Sequence, residues 1–119
     1  MRNSDVLKAF RMLSDTLEMI EDALLVVAQG LKMNPTVDER HDLEGQQHEL
    51  SIEKMTVVAA MKAIGRGQLV IPPPTEAQIT AVKRLARDVD DLTRANVTAG
   101  NAVVAGGQVL DAVGKITLA

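Results

Sequence analysis

The sequence predicts an all-α protein, an antiparallel bundle of three long helices with the third the longest. Three observations carry that prediction. Apolar residues recur at alternating steps of three and four through most of the 119 residues. Two Pro- or Gly-marked interruptions, at Asn34-Pro35 and at Gly65 to Pro74, divide the pattern. The apolar residues are almost all aliphatic, with a single Phe and no Tyr or Trp. Steps of three and four keep one seam of a helix turned toward a neighbour, as bundles and coiled coils require. A length of 119 residues suits one helical-bundle domain, 1–119.

The first helix is expected at about 4–32, on the ladder Val6, Phe10, Leu13, Leu17, Ile20, Leu24, Val27 and Leu31. Pro35 ends it, because proline lacks a donor and restricts the residue before it. The second helix, at about 37–64, opens on Thr36-Val37-Asp38-Glu39, where a Thr hydroxyl and a Glu carboxylate can satisfy orphan amides reciprocally. Leu43, Leu50, Val57 and Ile64 form its seam, and Gly65-Arg66-Gly67 stops it. An extended linker, 65–74, holds three consecutive prolines. Leu69, Val70 and Ile71 within it are expected to close the open end of the bundle, or to dock a partner.

The third helix is expected at about 76–118, behind a second capping sequence, Thr75-Glu76-Ala77-Gln78. Its seam reads Val82, Leu85, Val89, Leu92, Asn96, Ala99, Val103, Gly106, Leu110 and Val113. Unbroken, it would be roughly 64 Å long against roughly 43 Å for each of the others. The overhang is nearly uncharged, since residues 97–119 carry only Asp111 and Lys115. Such a surface must be covered. A bend or break near Gly100–Gly107 would fold the tail back and give a four-helix bundle. No capping residue follows Gly107, however, so the expectation is a long helix covered by another copy, in a dimer or higher homo-oligomer. Val103, Gly106, Gly107, Leu110, Val113 and Ile116 would make the self-contact. Asn96, a polar residue on the seam, would fix its register.

The polar first half of the second helix carries His41, Glu44 and His48 at spacings of three and four, on one face. Two imidazoles and a carboxylate are the donor types of a divalent-metal site, which makes these three the candidates for a metal ion or small ligand. The competing reading is a solvated, slightly acidic helix face. No serine, histidine and carboxylate share a spacing that would build a nucleophile, so no catalytic residues are assigned. No cofactor is implied.

A net charge of −3 and a pI near 5.3 leave no electrostatic footprint for nucleic acid. The absence of stacking rings also argues against single-stranded binding. No cysteine is available for disulfides, thiolate chemistry or Cys-ligated zinc. No stretch reads as a membrane span, and Met1 to Asp5 lead into an amphipathic pattern rather than an apolar leader, so a cytoplasmic location is expected. Together these readings point to a non-enzymatic, self-associating helical scaffold or adaptor, with ligand binding through His41, Glu44 and His48 as the alternative.

Overall fold

The computed structural model describes residues 3–68 and 71–116, and these form four helices and no strands. They are α1 (Asn3–Leu31), α2 (Val37–Gly65), α3 (Glu76–Thr93) and α4 (Ala99–Gly114). The expected third helix is therefore two. The break comes at Arg94 to Thr98, ahead of the glycines where a bend was expected, and Asn96 lies exposed in the turn rather than on a helical seam.

Each end has a local cause. In α1, the chain leaves the helix through Asn34 at φ 49°, a left-handed conformation that Asn tolerates better than most residues. Both expected capping boxes form. Thr36 accepts from the Glu39 amide while the Glu39 carboxylate accepts from the Thr36 amide, and Thr75 and Gln78 repeat the arrangement. At the end of α2, Gly67 takes φ 82°, its amide donates to Ile64 O, and the Gln68 amide donates to Ala63 O. That pair of bonds is a Schellman closure.

The break between α3 and α4 is a third Thr cap. Thr98 Oγ1 accepts from the Asn101 amide at 3.1 Å. The residue before the cap, Val97, is buried, as is Ala102 four residues beyond the cap, the positions of a hydrophobic staple. On the other side, Thr93 Oγ1 donates to Asp90 O at 2.6 Å, and Arg94 Nη2 donates to the Asp90 carboxylate at 2.8 Å. Both bonds finish the last turn of α3.

The four helices run up, down, up, down. A Lys8–Glu76 ion pair of 3.4 Å joins the starts of α1 and α3, so these two are parallel. Lys54 meets Glu21 at 3.6 Å, which sets α2 antiparallel to α1. Gly30 of α1 faces Ala102, and Val27 faces Gly106, so α4 also opposes α1. Helix α1 is the hub: it packs on all three others, whereas α2 and α3 share no packing among the described residues. The result is an elongated body of 49 × 22 × 18 Å.

A hub helix needs more than one seam. Of the expected ladder, Leu13, Ile20 and Val27 are fully buried, but Phe10 stays partly exposed. A second stripe of Ala9, Met12, Thr16, Met19, Ala23, Val26 and Gly30 is buried beside it, and together the two let α1 pack on three helices. Thr16 is the polar member of the second stripe, and its hydroxyl donates to Met12 O at 2.7 Å. In α4 the break turns the seam as well. Ala99, Ala102, Ala105, Gly106, Val109 and Val113 face inward, while Val103 and Leu110 are only half-buried.

Candidate functional site

The splay between α3 and α4 makes an open, largely apolar concavity. The two helices leave the Thr98 turn and diverge, touching little, so an open cleft of about 360 Å³ remains between the start of α3 and the end of α4. Val82, Leu85, Ala112 and Ile116 supply apolar walls, with Ala81 small enough to leave the entrance wide. Gln78, Gln108, Asp111 and Lys115 complete the lining, and Lys115 pairs with Asp111 at 3.2 Å. An apolar floor with a polar rim is the cross-section that receives the apolar stripe of a helix.

A second, more polar concavity of about 470 Å³ lies between α2 and α4, bounded by His41, Asp42, Gly45, Gln46, Glu49, Val103, Val104 and Gly107. Its floor is Gln46. The Gln46 amide donates from Nε2 to Val103 O at 2.8 Å, tying α2 to α4, while Oε1 is buried without a partner. Gly106 explains the placement: a β-carbon there would overlap Gln46 Oε1 and stand 2.8 Å from its Cδ. The sequence carried a signal for this contact. Gln46 falls on the α2 core ladder between Leu43 and Leu50, where a polar side chain must find a partner.

Chain comparisons add no template for either concavity: no protein-family model, curated protein or solved structure matches the chain.

The residues singled out from the sequence scatter. His41, Glu44 and His48 all lie exposed on α2, with His41 at the rim of the α2–α4 concavity. Among the described residues no three His, Cys, Asp or Glu side chains gather closely enough to hold a metal ion. The residues expected to contact a second copy are used inside the chain: Gly106, Val113 and Ile116 are buried, and Val103, Gly107 and Leu110 half-buried, in the packing of α4 on its own bundle. Ile71 belongs to the hydrophobic core at the end of the bundle. Leu69 and Val70 lie outside the described residues. Asn96 is exposed in the α3–α4 turn, so it has no seam to register.

One electrostatic feature links α1 and α3. The parallel run of α1 and α3 brings Asp22 toward Asp90 and Arg94. Partial burial, then Asp90, Glu18 and Glu21, push the Asp22 carboxyl above its ordinary 3.8, against an opposing pull from Arg94. Asp90 moves the other way, held below its ordinary value by the Arg94 hydrogen bond. Both groups lie near the surface beside a fixed ion pair, an arrangement suited to orienting helices. No helix among the described residues is long and apolar enough to cross a membrane.

Proposed function

We propose that the protein is a non-enzymatic, self-associating helical scaffold or adaptor, and that the α3–α4 cleft is its docking site for an amphipathic helix of a partner. One observation carries the reading. Helices α3 and α4 both pack on α1 yet stand apart from each other, and the space between them presents Val82, Leu85, Ala112 and Ile116 behind a rim of both charge signs. A helix entering there would bury an i, i+3, i+4, i+7 stripe against apolar side chains and leave its polar face in water. The rim pair Asp111–Lys115 carries no net charge, so selectivity would come from shape and apolar fit more than from electrostatic steering.

The test is a selection of helical peptides from a random library on the intact protein, followed by mapping of bound peptide by amide chemical-shift changes. The expected binders carry an apolar helical stripe and shift residues 78–85 and 108–116. Ala112→Glu, which puts a charge into the cleft wall, should abolish binding and leave the helical circular dichroism intact. Peptides that map elsewhere, or that bind the Ala112→Glu protein equally well, refute the reading.

A further inference from the structure

Helix α2 is apolar on two sides. Its inner side carries Leu50, Val57, Ala60 and Ile64, all buried. The lower half of its outer side carries Ile52, Met55 and Ala59, where Ile52 is 48% and Met55 73% exposed. A packed core explains the first set, and nothing among the described residues covers the second. Continuing up the same outer line come His48, Glu44 and His41. The stripe is thus apolar about residues 52–59 and polar above it.

We propose that this outer face of α2 pairs with the same face of a second copy, antiparallel about a twofold axis close to residue 53. The proposal rests on the self-association half of the scaffold reading and is independent of the cleft. The charges choose the occupant. Glu44 and Lys62 lie nine positions before and after residue 53, and their spacing of eighteen residues is five whole turns, so they share one edge of the stripe. A twofold axis perpendicular to the helix keeps each edge on its own side and reverses the order along it. It therefore sets Glu44 against Lys62 of the second copy, and Lys62 against Glu44 of the second copy, each about 13 Å from the axis. Neither residue is engaged in an ion pair among the described residues.

The middle of the contact fits the same symmetry. Ile52 and Met55 of both copies surround the axis, and His48 stands opposite the small Ala59 of the second copy. A parallel pairing, about an axis along the helices, would instead put the two Glu44 on opposite edges of the contact and the two Lys62 likewise, leaving all four without an opposite charge. One helix crossing one helix is small for a stable interface, so the dimer is weak, with a Kd in about the 10–500 μM range, and tighter at low salt.

Sedimentation equilibrium from about 10 μM to about 1 mM, at low and at physiological salt, tests the proposal. The wild type should follow a monomer–dimer equilibrium that salt weakens. Met55→Asp should weaken dimerisation at least tenfold. Glu44→Lys and Lys62→Glu should each weaken it roughly fivefold or more, because each makes two like-charge contacts per dimer. The double exchange Glu44→Lys with Lys62→Glu should return the Kd to near the wild-type value. All three sites are exposed, so circular dichroism should show unchanged helix content. A wild type that stays monomeric at about 1 mM overturns the proposal and leaves the face to a different partner. A dimer that ignores Met55→Asp overturns it, and so does a double exchange no tighter than the single changes. Cleft-binding peptides should bind the Met55→Asp protein as they bind the wild type, so loss of either property is read separately from the other.

Discussion

Gly30 is where α1 and α4 come closest, and Gly30→Ala is the sharpest test of that packing. In an ordinary helix interior the change would stabilise by about 1 kcal/mol, because alanine loses less backbone freedom on folding. Here a methyl group would overlap the Ala102 β-carbon, with Leu43 Cδ1 at 3.4 Å and the Ala99 α-carbon at 3.6 Å closing the other sides. Ala102 has no rotamer to change, so relief requires α4 to move away by about 1 Å to reach normal carbon–carbon separation. Overpacking of this kind costs about 1–3 kcal/mol, and the loosened α4 gives up contacts with both α1 and α2. The net expectation is a loss of about 1–2 kcal/mol, or roughly 4–8 °C in Tm. Thermal and urea unfolding followed by circular dichroism would measure it. Gly45→Ala is the matched control: it lies in α2 with nothing within 4 Å of the added carbon, and should stabilise by about 0.5–1 kcal/mol. Adding Ala102→Gly to Gly30→Ala exchanges which helix supplies the methyl, so the double variant should return close to the wild type and give a coupling near 2 kcal/mol. A Gly30→Ala protein as stable as the wild type, or a coupling under about 0.5 kcal/mol, would show that α4 does not lie against α1 as described.

Other expectations follow from single contacts. Thr98→Ala removes the hydroxyl that starts α4 and should cost about 0.5–2 kcal/mol, read by urea unfolding, with faster hydrogen exchange at Asn101 as its local signature. Gly106→Leu should lower stability by 2 kcal/mol or more (an order-of-magnitude figure), because it displaces the Gln46 carboxamide and reaches Val27 Cγ2, already 3.2 Å from where its β-carbon would stand. Its first effect is on the folded monomer. Asp22→Asn should stabilise slightly at pH 7, by less than about 1 kcal/mol, because the ionised carboxylate is partly buried and sits among Asp90, Glu18 and Glu21. The sign follows from a folded-state pKa raised above the unfolded one: the penalty is complete above the folded value and fades as pH falls toward 3.8. The gain from Asp22→Asn should therefore shrink on acidification, and a gain that grows instead would contradict the assignment.

Where the sequence marked a helix end with chemistry that admits one reading, the reading held. Asn34-Pro35, Thr36 with Glu39, Gly65 to Gly67 and Thr75 with Gln78 each carry a blocked donor, a paired cap or a permissive glycine, and the ends of α1 and α2 and the start of α3 lie there. The α3–α4 break escaped notice because nothing at Arg94 to Thr98 forbids a helix. Alanine, arginine and leucine around it favour one, and the three-four ladder can be drawn straight through Asn96. What breaks the helix is tertiary: Val97 gains burial and Thr98 gains a cap only once α4 turns back onto α1 and α2. The glycines misled for a related reason. Gly106 marks a close approach of Gln46 and not a bend, and only Gly67 of the eight glycines adopts a positive φ. Met12 and Met19 are core but Met55 is not, because the α2 seam has only α1 and α4 to face. The exposed histidines follow from the same geometry.

The uncharged tail posed a choice between a fourth helix and a second copy, and the size of its residues decides it. Helix α4 presents Ala99, Ala102, Ala105 and Gly106 inward, which lets one helix lie in the groove between two others at once. That close approach brings α4 onto both neighbours, with Ala102 on Gly30 and Gly106 beside Val27 and Gln46. A dimer built on the same face would offer Ala and Gly to Ala and Gly, with less apolar area removed from water for each residue ordered. Folding back also needs only a five-residue turn, a small entropic cost beside association from dilute solution. Consuming that face inside the monomer has a consequence at the surface. Helix α4 fills the groove between α1 and α2 and diverges from α3, so the apolar cleft opens on one side, and the outer line of α2 remains uncovered on the other. The two-surface scaffold proposed above would use such an arrangement, and the small residues of α4 are what produce it.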